Sequence, residues 1–277
     1  MRRLALALFI FSLVASAYGQ TAEVVKRNLS PAEIDQIVRK FSANEASFRE
    51  ALTNYRFKRK AMLNIIGLGG QIAGTYRRDS DMVINSDGGR FEKILFFPVA
   101  TTPPGFVTPE DLEDLGGVNP FALEPKFISQ YNFSYMGIER IDDYDLHVFD
   151  VTPKVIPDPK KSKLRLFTGR VWVDTRDLMI LKSRGKAVPE TKENKFPVVE
   201  TTRQQIDGKY WFPVDARSDD ELVFGNGDVV KIKLRVKFSE YGLGRTEVRI
   251  GDEEEIVPDP TPAPAPAASP SPTPKKP

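Results

Sequence analysis

The sequence predicts a mainly β domain, a long antiparallel meander curved over one amphipathic helix. Three observations predict it. Apolar residues recur at helical spacing once, near the start, and change to period two after Tyr55. Turn-forming pairs then follow in series between apolar runs: Asp87-Gly88, Asp142-Asp143, Asp174-Thr175-Arg176-Asp177, Asp207-Gly208 and Asn226-Gly227. Asx-Gly pairs favour tight antiparallel turns because the glycine accepts positive φ. Finally, "VVKIKLRVKF" at 229–238 alternates cleanly, so one sheet face meets a core and the other meets water. A half-wet sheet and a single long helix bury their apolar faces together when the helix lies in the hollow of the sheet.

The elements follow in order. Residues 1–19, "MRRLALALFIFSLVASAYG", have a basic start, an apolar middle and a small-residue exit, which is a secretory signal pattern. The apolar run is too short for a membrane span, and no later run is long enough. The reading is an exported, soluble chain with no transmembrane anchor after processing, folded over about 20–256. Ser30, Pro31 and Glu33 form an N-cap, a first helical position and a capping-box partner. Ile34, Ile37, Val38, Phe41, Glu45, Phe48, Leu52 and Tyr55 continue at helical spacing, so the helix is expected over 31–53, with a kink near Ser42–Asn44.

In the strand pattern that follows, Tyr55, Phe57, Ala61, Leu63 and Ile65 share a face, and Arg59 falls on that same apolar face. An arginine there needs a partner. It is a candidate latch onto helix-end or loop carbonyls; snorkelling at a rim is the plainer alternative. "GLGGQIAG" at 67–74 lacks the spacing of a phosphate loop and reads as a turn or strand bend. The meander is interrupted by "TPPGFVTPEDLEDLGGVNPF", where Thr108 caps a short helix that has Asp111 in its third position. From Val257, "VPDPTPAPAPAASPSPTPKKP" has alternating prolines and nothing to fill a core, so 257–277 read as a disordered, extended tail.

Composition excludes several classes. There is no cysteine, hence no disulfide, thiolate metal site or lipidated cysteine. The formal charge is +2 and falls near zero once Arg2 and Arg3 leave with the signal, so the footprint of a nucleic-acid binder is missing. The single histidine, His147, lies in a strand with no serine in a nucleophile-elbow context, and reads as structural. The acidic clusters at 142–145, 219–221 and 253–255 lack calcium-loop spacing. No cofactor or metal is implied, and no enzyme.

The signal, the helix, the meander, "GRVWVD" at 169–174 with "DLMILK" at 177–182, and "IDGKYWFP" at 206–213 together resemble the LolA-like lipoprotein carrier family. The likeness covers about residues 30–241. It implies an unclosed antiparallel β-barrel, a half-barrel whose apolar concave side is covered by the N-terminal helix and the short inserted helix. It also implies non-catalytic, periplasmic binding of acyl chains or lipoproteins, in sorting to the outer membrane. The alternative on the same fold is a sensor or assembly scaffold with an envelope protein partner. Under such a lid, Ile37, Phe41, Phe48 and Leu52 of the helix face Val230, Ile232, Leu234 and Val236 across a cavity. Phe57, Leu63, Phe167, Val171, Val173 and Phe212 point into it as well, while Trp172 and Trp211 fall on the outer face. There the tryptophans cover sheet or pack under a loop, or else they mark a partner surface.

Because the proline-rich tail offers no core surface, deleting 257–277 should leave the melting temperature nearly unchanged. A fall of several degrees in a thermal melt would show that the tail docks on the domain.

Overall fold

The structure is a computed structural model that describes residues 24–84, 90–108, 111, 123–162 and 164–244. The signal segment, the proline-rich tail, Asp87-Gly88, Gly116-Gly117 and most of the inserted helix lie outside the described residues.

The helix α1 spans Pro31–Leu52, and its start is the predicted capping box. Ser30 Oγ accepts from Glu33 N at 3.3 Å, and Glu33 accepts from Ser30 N at 2.7 Å. Such a cap contributes about 1 kcal/mol by satisfying amides that have no partner inside the helix. The helix runs unbroken through the expected kink, with Ser42 fully buried. Just beyond it, Asn44 Nδ2 donates to the carbonyls of Asp177 and Leu178, both at 2.9 Å. Those bonds tie the helix to a sheet turn in which Leu178 holds φ +56°.

Among the described residues ten strands follow: β1 (Tyr55–Ile66), β2 (Ile72–Ile84), β3 (Arg90–Phe96), β4 (Tyr131–Ile141), β5 (Tyr144–Pro153), β6 (Leu166–Asp174), β7 (Ile180–Val188), β8 (Val199–Ile206), β9 (Tyr210–Val223) and β10 (Val229–Leu243). A one-turn helix α2 (Pro125–Ile128) precedes β4. The strands form one sheet in the order β3-β2-β1-β10-β9-β8-β7-β6-β5-β4, and every named neighbour pair is antiparallel. The sheet is not closed, since β3 and β4 are its edges. It is therefore two meanders, β1–β3 and β4–β10, joined side by side through β1 and β10. Turns fall at Asp142-Asp143, Asp174–Asp177, Asp207-Gly208 and Asn226-Gly227, as the turn signals predict. "GLGGQIAG" supplies the β1–β2 turn, closed by Gly67 N to Gln71 O at 2.8 Å.

The helix covers the inner face of the sheet along its length. Toward its start, Val38 and Phe41 pack with Phe149, Val151, Val171, Val173 and Ile180 of β5–β7. Toward its end, Phe48 and Leu52 pack with Phe57, Phe212, Ile232, Leu234, Val236 and Phe238 of β1, β9 and β10. At about 1.5 Å per residue, twenty-two residues span some 33 Å, enough for one helix to serve both ends of the sheet.

The outer face is not uniformly wet. Where β10 meets β9 it is, and a charge ladder runs across it: Lys231–Glu221, Lys233–Asp219 and Arg235–Asp215 at 3.8, 3.4 and 3.0 Å. The acidic run at 219–221 is thus the strand partner of the basic residues at 231–233. Trp172 and Trp211 lie on the outer face, as alternation predicts, yet each is only 6% exposed. With Leu146, Val148 and Leu181 they form a small outer core. Val24 packs against it, and its neighbour Val25 bridges to Ile138 of β4. This close approach requires Gly137: it holds φ +133°, and a Cβ there would meet Val25 O at 2.4 Å.

Candidate functional site

The inner face has a seam. The two apolar clusters meet α1 through different ends of the helix, and Glu45 falls between Phe41 and Phe48. Opposite it stands Arg203 of β8, whose Nη1 and Nη2 donate to the two Glu45 carboxylate oxygens at 2.6 and 3.0 Å. The guanidinium also lies 4.7 Å from the Phe48 ring centroid. Side-chain exposure is 12% for Arg203 and 4% for Glu45, so the pair is desolvated and forked.

A cavity of about 260 Å³ opens at this seam. Its wall takes Phe48, Leu63, Leu222 and Ile232 from one cluster and Leu123, Phe167, Val171 and Ile180 from the other. Two loops line it. One carries Phe106 and Val107, ahead of Thr108, which exchanges a reciprocal capping bond pair with Asp111 at 3.0 and 3.1 Å. The other joins β7 to β8 and contributes Lys195, Phe196 and Pro197. Gly185 of β7 borders the cavity, and Gly169 of β6 stands opposite Gly185 in register. A Cβ on Gly185 would stand 2.3 Å from the Phe167 ring, so glycine lets that ring lie flat on the sheet.

Of the residues expected at the cavity, Phe48, Leu63, Phe167, Val171 and Ile232 border it. Phe41 and Val173 pack fully buried in the cluster near the helix start, with Ile37 half-buried against them. Leu52, Phe57, Phe212, Leu234 and Val236 are buried in the other cluster, with Val230 half-buried at its side. A second void, bordered by Arg59, Leu234 and Val236, is about 10 Å³. That is space for about one water at most. The loop residues Phe106, Val107 and Phe196 were missed because no periodicity marks a loop. The only sequence signal was large apolar residues beside proline, in "PPGFV" and "KFPVV".

Arg59 is buried on the apolar face of β1, 7% exposed. Its Nη2 donates to Glu92 Oε1 on β3 at 2.7 Å. Glu92 also accepts from Arg78 at 2.9 and 2.7 Å and from Ser80 Oγ at 2.6 Å. Burial alone would raise the Glu92 carboxyl. The bonds from Arg78 and Ser80, with the charges of Arg59 and Arg78, outweigh it and hold the group down at about 2. His147, on β5, receives a contact from Tyr135 Oη at 3.1 Å, and burial lowers its pKa. Among the described residues, no group of three histidine, aspartate or glutamate side chains is placed to hold a metal ion.

Fold and site together define an open antiparallel half-barrel with one helix against its inner face and an apolar cavity at the seam. In comparison with solved structures, the chain is similar to a LolA superfamily protein from Nitrosomonas europaea, at 12% identity over 76% of this chain and 94% of that one, with a TM-score of 0.36. It is also similar to a DUF1329 family protein from Desulfovibrio piger, at 14% identity over 77% and 95% of the two chains, again with a TM-score of 0.36. No protein-family model and no curated protein matches it.

Two outcomes follow from the ion pairs. Arg203→Met leaves a buried carboxylate without its partner and should cost about 3–5 kcal/mol in urea unfolding. Adding Glu45→Met should restore most of that, because two apolar side chains then replace two buried charges. The Glu92 carboxyl is depressed below its ordinary value of 4.5, so its contribution is present above that pH and lost as pH falls toward 2. The gap in urea midpoint between the wild type and Glu92→Gln should therefore be widest near neutrality and close between pH 4.5 and 2.

Proposed function

We propose that the chain is a non-catalytic carrier in the periplasm that binds acyl chains in the seam cavity, in the sorting of lipids or lipoproteins toward the outer membrane. The observation that carries the reading is the cavity itself. More than half of the residues in its wall are apolar or glycine, Glu45 and Arg203 satisfy each other within it, and two loops line it. Such a space binds by burying methylenes, each worth about 0.8 kcal/mol at full burial. A dodecyl chain thus has on the order of 9 kcal/mol of gross driving force, less the cost of ordering both partners. That balance suits capture and release. The periplasmic setting rests on the signal pattern at 1–19. Among the described residues no helix is long and apolar enough to cross a membrane.

The test is native mass spectrometry of protein purified from the periplasm, paired with titration of a fluorescent fatty acid. Copurified lipid and saturable probe binding are expected. Phe106→Asp puts a charge into the cavity wall from a loop and should abolish probe binding, while Lys233→Asp on the outer face should not. A wild type that binds neither lipid nor probe would overturn the carrier reading in favour of an envelope scaffold.

A further inference from the structure

Charge at the cavity mouth is unevenly settled. Among the cations that line it, Arg49 is paired with Glu124, Lys186 with Glu190 at 3.0 Å, and Arg203 with Glu45. The lining carboxylates Glu45 and Asp111 each hold an arginine, Arg203 and Arg165. Glu193 is exposed. Lys195 is different: it is half-buried and lines the cavity, and it has no carboxylate partner among the described residues.

Its loop is held from several sides. Thr191 N donates to Asn194 O at 3.0 Å, and Phe196 N to Glu190 Oε1 at 3.1 Å. Val198 N donates to Asp220 Oδ2 at 2.7 Å, and the Phe196 ring lies 4.7 Å from the Arg165 guanidinium. Lys195 is thus carried at the mouth by a braced segment. A partly desolvated ammonium gains from an anion that arrives with the ligand, because the pair forms where water is already reduced.

Size narrows the ligand further. Pockets for drug-sized molecules run from about 300 to 1,000 Å³, and this one is about 260 Å³. One alkyl chain fits such a space better than the several chains of a fully acylated cargo. Resting on the acyl-chain reading above, we propose that the ligand is a single-chain amphiphile with an anionic head, its tail among Phe48, Phe167, Val171 and Ile232 and its head on Lys195.

The test is displacement of the neutral probe N-phenyl-1-naphthylamine by palmitate, hexadecyl phosphate and hexadecanol at pH 8, below their aggregation limits. The wild type should bind the two anions about tenfold more tightly than the alcohol. Lys195→Met should erase that preference and leave hexadecanol binding unchanged, and Lys195→Glu should reverse it. Palmitate alone being preferred would assign a carboxylate head; equal preference for the phosphate would assign charge as the feature read, and both support the proposal. If the wild type binds hexadecanol as tightly as palmitate, or Lys195→Met keeps the preference, the anionic head is overturned while the acyl-chain reading stands. If none of the three displaces the probe and the fluorescent fatty acid does not bind, both readings fall together.

Discussion

The Glu45–Arg203 pair is the constraint around which the inner face is arranged. A helix laid along a curved sheet would bury most if its stripe were apolar throughout, giving one continuous core. Here the stripe is broken at Glu45, which meets Arg203 in forked geometry, and the apolar residues fall into two clusters on either side. A buried ion pair gives up solvation that its Coulomb attraction only partly returns, so it is rarely the most stable solution. What it does provide is a fixed, polar point at the seam. The clusters cannot close over it without stripping the pair further, and the cavity opens beside it.

The glycine pair acts toward the same end by a different route. Gly169 and Gly185 face each other across β6 and β7 and leave the sheet without side chains at one spot. Phe167 lies down there, when an alanine would push its ring up into the space. A strand gains packing from β-branched residues and loses it at glycine. Two glycines in register, one of them bordering the cavity, therefore cost sheet stability and give the Phe167 ring room to lie on the sheet. The ion pair, the glycine notch and the lining loops are three separate departures from the most stable core, and all three border one space.

Much of the fold was legible in the sequence because its signals are local. The capping box needs only Ser30 and Glu33, the alternation of 229–238 needs only those ten residues of β10, and the tight turns need two. The parity that set Val171 and Val173 inward and Trp172 outward is equally local. What failed to show was what lies against those faces. Glu45 finds its partner 158 positions away, and no spacing rule connects them. That Trp172 and Trp211 pack under other chain was among the expectations, but which segment does it was not legible, because Val24 comes from the far end of the chain. The β-bulge between Tyr135 and Gly137, with Met136 as its extra residue, adjoins the glycine that admits this segment, and sequence alternation does not announce it.

The same distinction explains why the cavity was harder to read than the core. Alternation and helical spacing say that a side chain points inward; they do not say whether the space in front of it is filled. Leu234 and Ile232 belong to one strand face and are equally apolar, yet one packs near a void of about 10 Å³ and the other borders the open cavity. The difference lies in what stands opposite. Near Leu234 the space is taken by Tyr76 and Val107, whereas Ile232 shares its wall with the β7–β8 loop and the seam. Loop backbone must keep its polar groups satisfied, and this loop does so with its own threonine and with Glu190 and Asp220. It is thus held in place by hydrogen bonds as well as by the burial of Phe196. A loop supported in this way can border an open space, and that is the physical condition for a fold of this kind to contain a site as well as a core.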